Sequence, residues 1–399
     1  MLRVIMSLSA ALLLSACADD SVTNPRLTLE ASQAGAVKQW ESNAVVYWTD
    51  AARQLVASNT FNAFQAIRGY SIVALAQYNA AIAAENGKAG ANHPSVHAAI
   101  AGASVVALQY LFPAQAQNLE QQLDDYLGLP GWPGEKHRDA ESGEAIGRSV
   151  AADVVARAMT DRFFDPVSVT VPTGPGYWFS ATPPAGAGFS LAKTYFLSSS
   201  NQFRPQPHPA FNSPAFLADL NEVRQIADTR TDEQDANAKA WNLPGGTHTP
   251  AGYWNQEATT LAVKYHLTER ATAHLLALMN MVSFDAIVAA HEAKYFYWLL
   301  RPTMADAGIV PSFPNPNFPS YPSNHAAISA GMAVILGAEF PAEKARLDAL
   351  AEDAALSRVQ GGIHYRFDGD AGIELGRQVA AFALQNDVKG HEPFVPRQN

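Results

Sequence analysis

From Thr268 to Leu300 the chain runs without a glycine or a proline and is rich in Ala, Leu and Met. That stretch reads as one long helix, with Glu269 in the first turn, where the helix dipole favours a negative charge. Pro302 closes it, since proline offers no N–H to the next helical bond and crowds the turn before it. Lys294 and Arg301 are seven residues apart, two turns, so both cations are expected on one face about 10 Å apart along the axis. His291 and Trp298 fall on the same stripe, one turn before and one after Lys294. Asn280 and Asp285 interrupt the most apolar part of the run, and no other stretch beyond the first residues reaches the ~18 apolar residues of a membrane span.

The first half is also helical in character. Ala-rich patterns predict helices near residues 34–58, 61–86, 94–111, 114–127 and 137–162, with Pro94 at a first helical position and Gly87 at a stop. Charged residues are 16% of the chain, below the typical ~25%, so the helices should pack closely over much buried surface. The expected fold class is all-α, a helical-bundle architecture. An N-terminal half, 31–215, and a catalytic C-terminal half, 216–399, are expected to share one body. Residues 163–213 differ, being dominated by Pro, Gly, Ser and aromatics. So long an irregular stretch reads as a wall of the functional site in preference to a bland connection; Trp178, His208 and His248 could line that site or simply pack. No zinc-spaced His/Cys cluster, phosphate-binding glycine loop or internal repeat is evident.

Two further phrases follow the long run. Pro322-Ser323-Asn324-His325 precedes the apolar stretch Ala326–Gly337, so Ser323 is a natural N-cap and the free amides near Ser323 and Asn324 can receive an anion, with His325 beside it. Ser357-Arg358 is followed by His364, then Asp368. Arg358 and His364 could not share a face of one continuous helix, but Gly361-Gly362 breaks the chain between them. The chain is expected to restart at His364, with Asp368 four residues on, where its carboxylate can take the ring N–H and improve the other ring nitrogen as nucleophile or ligand. Three cations, two histidines and a helix start in one stretch suit a tetrahedral oxyanion.

Lys294-x6-Arg301-Pro302, Pro322-Ser323-Asn324-His325 and Ser357-Arg358-x5-His364-x3-Asp368 together resemble the signature of the type 2 phosphatidic acid phosphatase and vanadium-dependent haloperoxidase superfamily, over about 75 residues. The resemblance implies that Lys294, Arg301 and Arg358 neutralise the oxyanion, that Ser323 and backbone N–H groups add hydrogen bonds, that His364 bonds the central atom and that His325 is the acid/base. Phe318-Pro319-Ser320-Tyr321, His364-Tyr365-Arg366-Phe367-Asp368 and Lys294-Tyr295-x-Tyr297-Trp298 are similar to the haloperoxidase branch, with Phe318 where chloroperoxidase-like members carry Phe. Asn324 replaces the family's Gly, and His291 stands where haloperoxidases usually carry Trp.

The resemblance therefore implies an enzyme: a vanadium haloperoxidase-like peroxidase, with vanadate as cofactor held by His364, oxidising halide with hydrogen peroxide. The alternative is an acid phosphatase with no cofactor, cleaving phosphate esters through a phosphohistidine on His364. A noncatalytic anion-binding lipoprotein is a third reading, but it has no use for His325 or the His364–Asp368 pair. In each, the partners are small molecules.

Met1–Ala16 carries one positive residue, Arg3, ahead of an apolar run, and reads as a signal peptide. Leu14-Ser15-Ala16-Cys17 resembles the bacterial lipobox, and Cys17 is the single cysteine of the chain. An exported protein lipidated at Cys17 is expected, followed by a tether over 17–30, with the membrane reached through the lipid anchor only. Ala18 after Cys17 suits the outer membrane, facing the periplasm or the cell surface. The chain has 27 basic and 37 acidic residues, and losing Arg3 makes it more acidic still, which disfavours nucleic acid as a partner.

Overall fold

The computed structural model describes residues 43–87, 93–129 and 138–396. The expected signal peptide, Cys17, the tether and residues 34–42 of the first expected helix lie outside them. Five helices fill the first half: α1 (Ala44–Ser58), α2 (Ala63–Asn86), α3 (Val96–Leu111), α4 (Ala116–Leu127) and α5 (Ala140–Ala158). The starts of α1, α2, α3 and α5 are set by side-chain caps, with Asn43, Asn62, Ser95 and Asp139 each accepting first-turn N–H groups. Pro94 is not at a helix start as expected. Ser95 takes the Ala98 N–H at 2.9 Å and begins α3 at Val96, two residues later, leaving Pro94 in β1 (His93–Pro94), which pairs in parallel with β2 (Arg138–Asp139).

After an irregular stretch come α6 (Pro214–Thr229), α7 (Asp232–Ala240), α8 (Thr249–Lys264), α9 (Glu269–Tyr297), α10 (Pro302–Ala305), α11 (Asn324–Glu339), α12 (Lys344–Gln360) and α13 (Arg366–Asn386). The fold is all-α. α9 packs against α2, α8, α11 and α13. By length and composition α9 could cross a membrane, but 94% of its apolar window is buried inside the protein, as befits a core helix. Its polar residues are satisfied there: Asn280 and Asn255 exchange amide bonds at 2.8 Å each way. Asp285 accepts the backbone N–H groups of Tyr195, Phe196 and Leu197 at 2.7–3.1 Å. That carboxylate anchors the stretch 163–213, whose one regular turn is Phe189–Leu191.

α9 ends three residues before the expected Leu300. Trp298 adopts a left-handed conformation, φ 53°, and gives its N–H to the Lys294 carbonyl. The next residues pair with other segments: Trp178 N–H donates to the Trp298 carbonyl at 2.7 Å, Leu300 N–H to Gly176 at 3.1 Å, and Ser320 N–H to Leu299 at 2.9 Å. Those bonds replace the helical ones, so Arg301 leaves the helix in an extended conformation, as a residue before proline favours. Lys294 and Arg301 therefore do not share a helix face, Trp298 is a cap and not a stripe member, and Pro302 opens α10 instead of merely ending α9.

α11 and α13 approach unusually closely. A Cβ at Gly376 would lie 2.1 Å from the Ala327 carbonyl and one at Gly372 would lie 2.6 Å from that of Ser323, so neither position has room for a side chain. The contact sets the start of α11 beside the start of α13.

Candidate oxyanion site

The signature residues converge. Lys294 comes from the last turn of α9, Arg301 from the extended link to α10, Ser323 to His325 from the start of α11, Arg358 from the end of α12, and His364 from the turn before α13. α12 ends at Gln360, and Gly362 turns the chain with φ +77°. The expected restart at His364 is shifted, because α13 begins at Arg366 with Tyr365 as its cap. His364 and Asp368 thus meet by helix-start geometry and not across a helix face: Asp368, in the first turn, reaches back over the entering chain.

That carboxylate is heavily used. Its Oδ2 accepts His364 Nδ1–H at 2.8 Å, Ser320 Oγ–H at 2.5 Å and Tyr365 N–H at 3.1 Å. Burial pushes the Asp368 carboxyl up to about 6, against the pull of Ser320, Lys294, Arg301 and the Tyr365 amide. His364 Nε2 lies 3.0 Å from Arg301 Nη1, which can only donate, so the ring is neutral with its proton on Nδ1 and its lone pair on Nε2. Burial lowers the His364 pKa well below the usual histidine range, and Arg301, Lys294, His325 and Arg358 add to the effect.

The three cations are buried, and two are incompletely bonded. Arg301 also donates to the carbonyls of Phe318 at 3.1 Å and Ile363 at 2.8 Å, yet its Nη2 has no partner among the described residues. Arg358 donates to Ser357 Oγ at 3.0 Å and to the Ala238 carbonyl at 2.5 Å, and its Nη1 is likewise without a partner. Burial brings Arg301 down to about 10 and Arg358 to about 9. Lys294 behaves differently from the expected anion contact. Its Nζ donates to the carbonyls of Pro319, Ser320 and Pro322 at 3.0, 2.7 and 2.5 Å. Three acceptors require three N–H donors, so these carbonyls hold the ammonium form although burial and Arg301 pull its pKa down. Lys294 clamps the 319–322 segment and contributes charge from behind it. Phe318 covers both cations, with its ring 5.2 Å from Lys294 Nζ and 5.1 Å from Arg301 Cζ.

His325 Nε2 donates to the Trp241 carbonyl at 3.0 Å, which leaves its lone pair on Nδ1. Burial, then Arg358, lowers its pKa well below the usual range. Ser323 caps α11 through a 3.5 Å bond from Ala326 N–H and gives its own N–H to the Asp368 carbonyl at 2.8 Å, tying the two helix starts together.

Residues 337–390 match the family model described as VCPO second helical-bundle domain. The structure is similar to a bacterial vanadium-dependent iodoperoxidase, at 22% identity and TM-score 0.73 over 87% of this chain and 96% of that one. It is also similar to a bacterial vanadium-dependent chloroperoxidase in its apo form (16% identity, TM-score 0.63, 81% and 93% covered) and holo form (16%, 0.61, 81% and 92%). The fold is that of a vanadium haloperoxidase. The family match within the C-terminal bundle and these likenesses support the vanadium haloperoxidase/PAP2-like superfamily. No curated protein is similar enough in sequence to count as a match.

Within this haloperoxidase-type fold, the two departures from the family signature are bonded to each other. His291 Nδ1–H donates to the Gly186 carbonyl at 3.1 Å, so its Nε2 is an acceptor, and Asn324 Nδ2 donates to it at 3.0 Å. Asn324 therefore directs its amide nitrogen at the histidine, and its Oδ1 is buried without a partner among the described residues. Gly186, at φ +74°, could carry no Cβ without a 2.6 Å contact to His291. The irregular stretch thus packs against the site at Ala185–Gly186, where the Ala185 carbonyl also accepts Tyr295 Oη–H at 2.6 Å. Trp178 is buried against Trp298, with ring centroids 6.2 Å apart. His208 packs on Tyr297, Tyr321 and Phe367, and His248 caps α8; among the described residues neither bonds to the cluster. Sequence reasoning missed Ser320 and the carbonyls of Ala238, Trp241 and Gly186. A hydroxyl within a known phrase was a weak cue for the first, and nothing marks a carbonyl.

Proposed function

We propose that this chain is an oxyanion-site enzyme of the vanadium haloperoxidase kind, oxidising halide with hydrogen peroxide. One observation carries the reading: Arg301 Nη2 and Arg358 Nη1 are buried charged donors without partners among the described residues, beside a neutral histidine whose lone pair is already oriented. Leaving such donors unpaired costs stability, about 1–3 kcal/mol for each group and more where the charge is localised, so the arrangement suits an anion supplied from outside. Vanadate fits this donor set. His364 would hold its central atom, while Arg301, Arg358, Ser323 and the amides at the start of α11 would hold its oxygens. When bound, vanadate supplies the activation of hydrogen peroxide toward halide.

The protein's own residues set the conditions for that chemistry. Asp368 keeps the His364 proton on Nδ1, leaving Nε2 free to bind once Arg301 turns from the ring to the anion. His325, with Nε2–H held by Trp241, accepts or returns a proton at Nδ1. Phe318 keeps water from the cations and so preserves their field. The second reading, an acid phosphatase, is favoured by the same neutral Nε2 lone pair, which is what attack on a phosphate ester needs. A purely anion-binding role leaves His325 and the His364–Asp368 pair unexplained. Export and lipid anchoring through Cys17 belong to the same proposal, supported by the lipobox-like segment.

The purified protein, with and without vanadate, should be assayed for peroxide-dependent halogenation and for phosphomonoester cleavage. Halogenation that appears only with vanadate is expected. Ester cleavage without halogenation would select the phosphatase, and neither activity alongside tight anion binding would select the noncatalytic role.

A further inference from the structure

The end of α7 lies against the site, and it does so with backbone carbonyls. Ala238 O accepts Arg358 Nη2–H at 2.5 Å, and Trp241 O accepts His325 Nε2–H at 3.0 Å. Ala238 lies in the last turn and Trp241 is the C-cap: Asn242 N–H bonds to Lys239, so Ala238 O is free to face outward, at the negative end of the helix. Two groups of the oxyanion site therefore depend on where α7 ends. What fixes that end is one carboxylate on α12. Asp353 Oδ2 accepts the Trp241 indole Nε1–H at 2.7 Å, and its Oδ1 accepts Asn237 Nδ2–H at 2.8 Å. The same Asn237 amide reaches Gln360 Oε1 at 2.9 Å, and the Trp241 N–H returns to the Asn237 carbonyl. Asp353 thus grips both residues that frame Ala238 and Trp241, from the helix that also carries Arg358.

We infer that Asp353 is a positioning residue, which through Trp241 holds His325 in its Nε2–H tautomer and through α7 holds Arg358 toward the anion. It touches neither anion nor reacting atoms. Its role rests on the reading of His325 as the proton carrier, but its geometric effect on the His325 ring does not. Trp241 transmits the effect because the Asp353 bond to its indole N–H fixes the ring, packed against Tyr253 and Trp254 at ring distances of 5.1 and 6.5 Å, and with it the backbone that carries the carbonyl. His325 is crowded by Arg358, Lys294 and Arg301, all of which disfavour a second ring proton. Among the described residues, the Trp241 carbonyl is the one acceptor that draws a proton to Nε2.

The test compares Asp353→Ala, Asp353→Glu, Trp241→Phe and the Asp353→Ala/Trp241→Phe double variant in the full chain. Trp241→Phe keeps the backbone carbonyl and the aromatic packing but loses the indole N–H. Asp353 is partly exposed on α12, and the milder Trp241→Phe serves should Asp353→Ala fail to fold. The first readout is the imidazole ¹H–¹⁵N spectrum, in which wild-type His325 should show a protonated Nε2. In Asp353→Ala and in Trp241→Phe that signal should give way to mixed tautomers. The second is the rate of whichever activity the wild type has, where kcat should fall about 10- to 100-fold, the usual effect of losing an outer hydrogen-bond partner, with KM changed less than about twofold. Asp353→Glu should recover part of both. The double variant should be no worse than Asp353→Ala alone, since Trp241→Phe cuts a link that Asp353→Ala already cuts. A wild-type His325 spectrum and kcat in both single variants, or additive losses in the double, would overturn the inference. A wild type that binds neither vanadate nor phosphate would instead overturn the reading of the site, leaving the His325 spectrum to decide the role of Asp353.

Discussion

Replacing Asp368 separates what the carboxylate does for the fold from what it does for the site. Its Oδ2 collects three donors, from Ser320, His364 and Tyr365. In Asp368→Ala the Ser320 hydroxyl can rotate toward another acceptor, but the His364 ring N–H and the Tyr365 amide cannot. Two buried donors without partners cost about 1–3 kcal/mol each, so about 2–6 kcal/mol should be lost, a large share of the 5–15 kcal/mol typical of a folded domain. In Asp368→Asn an amide oxygen can occupy the Oδ2 position and keep all three bonds, with the NH₂ group placed where Oδ1 lacks a partner among the described residues. Removing a charge that burial has pushed up to about 6 also relieves its desolvation, so stability near pH 7 should change little. The site should still suffer: a neutral amide stabilises the ring of His364 far less than a carboxylate, and activity should fall about 10- to 100-fold. Urea unfolding and vanadate titration, run on both variants, distinguish the two effects. An Asp368→Asn protein that binds and turns over like the wild type, or an Asp368→Ala protein of unchanged stability, would refute this account of the pair.

Lys294→Met should lower stability by about 3 kcal/mol or more, because three carbonyls of the 319–322 segment lose their donor; unfolding curves check it, and an unchanged midpoint would mean the clamp is dispensable. Anion binding should take up protons. Burial first, then Arg358, Lys294 and Arg301, holds His325 below its ordinary pKa; a bound anion offsets the cations and raises it, and a group whose pKa is higher in the complex makes affinity rise as pH falls. Calorimetry in buffers of different ionisation enthalpy should register that uptake, diminished in His325→Gln. Cys17→Ala should move the protein from the membrane fraction to the soluble one with activity intact.

The signature residues were legible because each phrase needs particular side chains at particular spacings: Ser323, Asn324, His325 and Arg358 lie at helix ends as their spacing implies, whereas His364 and Asp368 meet by helix-start geometry instead of across a helix face. The error over Arg301 has a definite physical origin. Leu299 and Leu300 are good helix formers, and nothing local tells that Gly176, Trp178 and Ser320 will claim their backbone groups. The His291–Asn324 bond was hidden for a related reason: each residue was visible as a departure, but their contact depends on Gly186 fixing the histidine tautomer from about a hundred residues away. The carbonyls of Ala238 and Trp241, which hold Arg358 and His325, could belong to any residue. A sequence specifies such groups only through the whole fold.

The most direct test is a crystal structure of the protein soaked with vanadate. The account predicts vanadium bonded to His364 Nε2, with Arg301 Nη2 and Arg358 Nη1 donating to its oxygens and the His364–Asp368 bond retained. Vanadate bound elsewhere, or a site in which those two guanidinium groups are satisfied by water alone, would contradict it.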